Sequence, residues 1–289
     1  FSSLGEFFIK EEECDLIIGS EFFYLSEEIL VPKIFNCLTK CLKKTECAYV
    51  THKQGLCSLY NKYASAKKVP AVNVTVYKRI SRINLNKIAQ YWPVFNSSTN
   101  EIFSGANMYG PVNVLFIPDR NGIPNSAIRL TRGYYSLPAR NYFSGDFTIM
   151  SWVKLTETLR FQRFIDCGSD RYKTVTLSLS YETTNKPYFK INYDSYSTEF
   201  YSDNALNLSV WYHLTFSLKD TIGYYYRNGV LDKSGGLIYS RNITRTSCYL
   251  GKSHFDNDPK ASADFDDIKF FDRALSIDEI NREMEISIL

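Results

Sequence analysis

Residues 263–283 read ADFDDIKFFDRALSIDEINRE, from Ala263 to Glu283. The first half carries Phe265, Ile268, Phe270 and Phe271 among acidic side chains, a composition that favours a β-strand. The carboxylate pair Asp266–Asp267 follows Phe265, and the strand pattern breaks at Asp272–Arg273. Ser276 then stands at an N-cap position with Glu279 three residues on, the capping box of a short helix from Ile277 to about Met284. A strand running directly into a capped helix reads as a closing piece that completes a sheet and covers one end of it.

Working back from that segment, the chain from Ala89 onward is a succession of strand signals separated by turn residues. NVLFIP (113–118) ends at Pro-Asp-Arg-Asn-Gly, and SAIRLTRGYYSLP (126–138) reads as two short strands about Gly133. DFTIMSWVKL (146–155) alternates, with Phe147, Ile149, Ser151, Val153 and Leu155 on one face and Met150 and Trp152 on the other. RFIDCG (163–168), TVTLSLS (174–180), PYFKINY (187–193), SVWYHLTFSL (209–218) and SCYLGKS (247–253) follow. GYYYRNGVLD (223–232) is a hairpin with Asn228–Gly229 at its turn. So many closely spaced strands predict an antiparallel sandwich or barrel. The ordered phrases, from YWPVF to DFDDIKFFDRALSIDEI, resemble the laminin-G-like, concanavalin A-like (pentraxin-like) jelly-roll family across residues 89–283.

The first eighty residues have another character. VPKIFNCLTKCLKK (31–44) has helical periodicity, with Ile34, Cys37, Leu38, Cys41 and Leu42 on one face. A hairpin follows, Cys47–Thr51 and Leu56–Tyr60, turning at Gln54–Gly55. Four cysteines here allow three pairings, and a zinc site is the rival reading, weakened by the lack of a histidine in the cluster. The spacing C-x3-C-x5-C-x9-C with helix and hairpin resembles the PAN/apple domain. That resemblance implies bridges Cys37–Cys57 and Cys41–Cys47, and leaves Cys14 without its expected partner, as a buried thiol or an intermolecular bridge. The domain expectation is therefore residues 1–82, a short stiff linker at 83–88, and the jelly roll at 89–289. The fold class expected is mainly β: a small α+β disulfide-stapled domain followed by a large antiparallel sandwich with a short C-terminal helix.

Composition bounds the function. Of 289 residues, 22 are Tyr and 20 Phe, and the net charge is only +3 with both signs interspersed, which lacks the concentrated basic face of a nucleic-acid binder. No run of 18 apolar residues predicts a membrane span. The chain opens at Phe1 rather than Met, read as a mature chain whose signal peptide has been removed. Seven cysteines and sequons at Asn73, Asn96, Asn207 and Asn242 add to an expectation of secretion to an oxidising, extracellular setting. Cys167 and Cys248, the two cysteines of the large domain, are a candidate bridge.

Glycosidases share the jelly-roll fold, and their retaining members need two carboxylates about 5 Å apart. The string E-x-D-x-x-E is missing, and strand alternation places Asp264 and Asp266 on one face but Asp267 on the other. His52, His213 and His254 stand isolated, and no serine-hydrolase, zincin or nucleotide-binding motif occurs. The expectation is a non-enzyme. Calcium is the cofactor expectation: hard oxygen ligands recur at Asp256–Asn257–Asp258, Asp264 and Asp170, and the family resemblance implies a rim site built from them. Tyr188, Tyr193, Tyr196, Tyr201 and Tyr224–Tyr226 would, where exposed, offer rings for sugars or for a protein surface; the favoured reading of any single one is a cross-strand pair or core. The function expected is a secreted adhesion or matrix protein binding glycan or extracellular protein partners. The alternatives are a self-assembling filament subunit, motivated by Cys14 and the apolar tail Ile286–Leu289 as a strand for a neighbour's sheet, and a glycan-cleaving enzyme.

Overall fold

The computed structural model describes residues 88–287 throughout and, ahead of them, residues 6–11, 14–16, 24–30, 37, 40–41, 47–53, 56–60, 68–70 and 75–81. The chain divides into two compact units, Lys87–Met284 and a smaller one made of Phe1–Asn86 with Glu285–Leu289.

The smaller unit contains β1 (Glu6–Glu11), β2 (Cys14–Leu16), β3 (Tyr24–Leu30), β4 (Tyr49–Lys53), β5 (Leu56–Tyr60), β6 (Lys68–Pro70) and β7 (Thr75–Ser81). Its main sheet runs β1-β7-β4-β5-β3, and β2 pairs with β6 apart from it. Disulfides join Cys37 to Cys57 and Cys41 to Cys47, with all four cysteines buried. Cys37, Lys40 and Cys41 are helical. The remainder of the helix read at 31–44, the turn at Gln54–Gly55, the sequon at Asn73 and the fate of the Cys14 thiol lie outside the described residues.

The larger unit begins with β8 (Gln90–Trp92), β9 (Tyr109–Ile117), β10 (Ala127–Leu137), β11 (Phe147–Leu155), β12 (Arg163–Gly168), β13 (Thr174–Ser178) and β14 (Tyr188–Tyr193). It continues with β15 (Tyr196–Tyr201), β16 (Trp211–Lys219), β17 (Ile222–Arg227), β18 (Val230–Gly236), β19 (Ser247–Leu250), β20 (Ala261–Phe271) and the helix α1 (Ile277–Met284). One layer runs β10-β20-β11-β16-β17-β18 and the other β19-β12-β13-β14-β15, all antiparallel. They are continuous through β10, whose Ile128–Thr131 pair with β20 while Tyr135–Leu137 pair with β19. Between the layers lies one apolar core, in which Phe147, Ile149, Val153, Phe216, Phe265 and Ile268 of the first layer meet Ile165, Val175, Leu177, Phe189 and Ile191 of the second. The whole is a large antiparallel β-sandwich. Cys167 and Cys248 are opposite each other on β12 and β19 and are bonded.

β20 is an interior strand of the first layer, and all eleven of its residues are buried. It pairs with β11 along one edge and with β10 and then β8 along the other. Four of those buried residues are ionisable, which is costly unless each is paired. The capping box forms in both directions at α1: Ser276 N donates to Glu279 Oε2 at 3.0 Å and Glu279 N to Ser276 Oγ at 3.3 Å. The β17–β18 turn has Asn228 and Gly229 at φ 51° and 74°, the geometry of a type I′ hairpin.

Four sequence readings need correction. Residues 126–138 are not two strands: β10 is continuous, and Gly133 sits in a bulge after Arg132 at φ 50°, where a Cβ would strike the carbonyls of Val112 and Asn113. β15 escaped detection because YSTEFY, on the edge of the sheet, buries only Phe200 and shows no alternating apolar face. Asp267 does not lie opposite Asp266: a bulge places it at φ 51° and swings both carboxylates to one partner, Arg120. The tail, finally, pairs within its own chain. Ile286–Ser287 form β21, antiparallel to Phe8–Ile9 of β1, because that edge is otherwise open.

Candidate functional site

The outer face of the first layer is a ladder of charge set by strand register. Arg129, Asp264, Lys154 and Trp211 stand opposite one another on β10, β20, β11 and β16. Arg129 donates to both Asp264 oxygens at 2.7 and 2.8 Å, Lys154 Nζ is 2.8 Å from Asp264 Oδ2, and that ammonium lies 4.8 Å from the Trp211 ring centre. On the next rung Asp266 faces Trp152 and His213. Arg120, from the β9–β10 loop, stacks on Trp152 at 4.6 Å and donates to Asp266 at 2.5 Å and Asp267 at 3.0 Å, while Tyr91 Oη donates to Asp267 at 2.5 Å. Burial and the neighbouring Asp267 charge push the Asp266 carboxyl well up despite Arg120. Burial likewise holds His213 well below its usual range, so it is a neutral ring. Lys269, lowered by burial, donates to the Glu283 carbonyl at 2.6 Å and ties α1 to this face.

The second layer's outer face is less closed. Asp166 on β12 stands between Tyr249 and Thr176, and the row continues to Lys190 and Glu199, which pair at 2.9 Å. The loop 251–260 folds over one end. His254 Nδ1 lies 2.9 Å from Asp166 Oδ1, and the His254 ring meets Tyr249 edge-on at 5.5 Å. Arg163 is the hub beneath, donating to Asp258 at 2.6 Å, Tyr188 Oη at 2.7 Å and Ser253 Oγ at 3.1 Å. Burial would raise Asp166, but His254 and Arg163 outweigh it and its carboxyl is lowered. Around this hub the aromatics form a tract. Tyr134 and Tyr249 meet at 6.1 Å with Lys252 over both and Lys260 over Tyr134, and Tyr181 stacks on Tyr201 at 4.8 Å. Tyr201 and Phe255 are about half exposed, at 49% and 47%.

The residues read as calcium ligands have separate settings. Asp264 is saturated by Arg129 and Lys154, and Asp258 is held by Arg163 and Ser253. Asp170 closes its own turn by accepting from Tyr172 N at 2.7 Å, and Asp256 and Asn257 are exposed. Among the described residues no group of three or more His, Cys, Asp or Glu converges as a metal site. Asn96, Asn207 and Asn242 are exposed. Of the tyrosines, Tyr225 is core, while Tyr224 and Tyr226 stack on each other. Sequence reasoning missed Arg120, Arg163 and Asp166. The charges inside the otherwise apolar string RFIDCG were the available signal for the last two.

Two continuous antiparallel layers around one core, with polar and aromatic outer faces, define a concanavalin A-like jelly roll, a scaffold on which binding and hydrolytic domains are both built. The chain belongs to the Laminin_G_3 family of the concanavalin A-like lectin/glucanases superfamily, whose model matches residues 130–281. No curated protein matches the sequence. Among solved structures the chain is similar to domain 4 of AbnA, a GH43 extracellular arabinanase from Geobacillus stearothermophilus in complex with arabinotriose. The TM-score is 0.60 at 16% identity, over 68% of this chain and 98% of that one. It is also similar to the binding domain of Paraclostridial Mosquitocidal Protein 1, with a TM-score of 0.55 at 14% identity over 68% of this chain and 51% of that one. A botulinum neurotoxin type C structure, from a description of cell entry dependent on two ganglioside molecules, has a TM-score of 0.54 at 14% identity, over 70% and 52%. The chain thus spans about half the length of those two toxin structures, and at such identities the likeness is one of fold.

Proposed function

We propose that the larger unit is a non-catalytic glycan-binding module of an extracellular protein. The observation that carries this reading is the pair of tyrosine contacts on the second layer, Tyr134–Tyr249 beside Lys252, Lys260 and His254, and Tyr181–Tyr201 on the other side of Arg163 and Tyr188. A tyrosine offers an apolar ring for the C–H face of a sugar and a hydroxyl for its polar edge, and the two ammonium groups favour an acidic or sulfated glycan. The arabinotriose bound by the AbnA domain and the gangliosides of the neurotoxin support the class of ligand. Three disulfides support an oxidising compartment, and among the described residues no helix is long and apolar enough to cross a membrane. The smaller unit, with its two nested bridges, is read as a PAN/apple-like partner module.

A non-catalytic role rests on how the carboxylates are used. Glycoside hydrolysis needs two carboxyl groups open to the scissile bond, whereas Asp264 and Asp266 are buried and each accepts from a cation. Binding to a glycan array, neutral and sulfated, tests the reading. Tyr249→Ala and Tyr134→Ala are expected to abolish retention with little change in thermal midpoint. Retention unaltered by both substitutions would remove the tract from the account. Turnover of a polysaccharide panel, lost in Asp266→Asn, would make the protein an enzyme.

A further inference from the structure

Two Asn–Gly dipeptides occur in the chain, Asn121–Gly122 and Asn228–Gly229. An asparagine before glycine is prone to lose its side-chain nitrogen as ammonia, because a residue without a Cβ leaves its backbone nitrogen free to reach the asparagine Cγ. The reaction needs a side chain that can turn and a backbone that can meet it, and the two sites differ in both. At the β17–β18 turn, Asn228 Oδ1 accepts from His213 N at 2.8 Å and Asn228 N donates to His213 O at 2.8 Å, which ties the residue to β16 at both ends. Gly229 is buried, and a Cβ there would strike Asn281 of α1, so its backbone has no room to move.

The β9–β10 loop is the opposite case. Asn121 and Gly122 are exposed, a Cβ built on Gly122 would find open space, and among the described residues no hydrogen bond holds the Asn121 side-chain amide. The turn is held by Asp119, whose Oδ1 accepts from Asn121 N at 2.8 Å and Ile123 N at 2.7 Å and whose carbonyl accepts from Gly122 N at 3.1 Å. Arg120, inside that turn, reaches Asp266 at 2.5 Å and Asp267 at 3.0 Å.

We infer that Asn121 is a site of spontaneous deamidation whose isoaspartyl product releases the hold of Arg120 on β20, while the fold protects Asn228. The Gly122 nitrogen gives its proton to hydroxide and attacks Asn121 Cγ. The new N–C bond closes a succinimide ring, and the side-chain nitrogen leaves as ammonia. Water then opens the ring at either carbonyl, so one water replaces one ammonia and the product is an aspartyl or an isoaspartyl residue. The isoaspartyl link carries the main chain through Cβ and Cγ and adds a carbon between Arg120 and Gly122. The bonds to Asp119 cannot all close over the longer chain, and Arg120 loses the turn that aims it. The site is an irreversible clock on the anchoring of β20, and it does not rest on glycan binding.

Peptide mapping of the full chain held in mildly alkaline buffer tests the inference, with conversion read from the mass gain of amide-to-acid exchange. Asn121 is expected to convert about tenfold faster than Asn228, whose side chain must first give up a hydrogen bond. In urea the two rates are expected to converge, since only the fold tells the sites apart. The isoaspartyl fraction, separated by ion exchange, is expected to melt several degrees below the parent. Asn121→Asp, which adds the charge without the extra carbon, is expected to melt close to the parent, and Asn121→Gln to hold its midpoint throughout the incubation. The inference is overturned if Asn228 converts as fast as Asn121 in the folded chain, if Asn121 stays intact there while converting in urea, or if the isoaspartyl fraction melts with the parent.

Discussion

Arg120 shows how much one side chain can hold. Its guanidinium lies between Asp266, Asp267 and the Trp152 ring, with a side-chain exposure of 12%. Removing one partner of a buried pair strands the other charges, so Arg120→Ala is expected to cost about 3–5 kcal/mol in urea unfolding. Asp266→Asn, which relieves a carboxyl already pushed up, is expected to cost far less. His213 gives a pH dependence of definite sign. Its folded value lies well below the ordinary 6.5, so the unfolded chain takes up a proton the native ring refuses, and stability falls as pH drops below about 6.5. Unfolding midpoints from pH 7.5 to 5 are expected to slope less in His213→Gln. None of this could be read from sequence. The Arg120–Asp266 pair spans 146 residues and depends on a bulge that reverses strand alternation at Asp267. Asp264 was read as a calcium ligand, whereas its surroundings are set by Arg129 and Lys154, whose register no local pattern encodes.

Elements with a short-range cause were legible, and those with a long-range cause were not. The alternation of Phe147–Leu155, the Asn228–Gly229 turn and the Ser276–Glu279 box each have their reason within a few residues, and each stands where it was expected. The unity of β10 and the existence of β15 depend instead on neighbouring strands, as does the tail's pairing with β1. The cap at α1 is open to measurement. Arg273 and the Ser276 amide hold Glu279 down, from the ordinary 4.5 to about 2. The stabilisation is present above pH 4.5 and is lost as pH falls toward 2. Glu279 sits near the surface, so solvent screening keeps its contribution under about 1 kcal/mol. Ser276→Ala is expected to cost about 1 kcal/mol at pH 7, and Glu279→Gln to flatten the acid limb of the unfolding curve.

At the scale of the molecule, the larger unit is a single sandwich because β10 serves both layers and β20 joins β10 to β11 within one of them. Cutting the chain ahead of Ala261 would therefore expose the adjoining edges of β10 and β11 together. Such a truncation is expected to lack the cooperative thermal transition of the full chain and to be digested throughout by trypsin, whereas a surviving resistant core would mean the layers fold separately. The same position of β20 has a consequence for biosynthesis. About 120 residues separate Leu137, the end of β10, from Ala261, and at roughly 5–20 residues per second of synthesis the early strands wait many seconds on the ribosome for their middle neighbour. Throughout that interval the nascent chain holds the open edges of β10 and β11, and its passage to the native state depends on whatever shields them until β20 emerges.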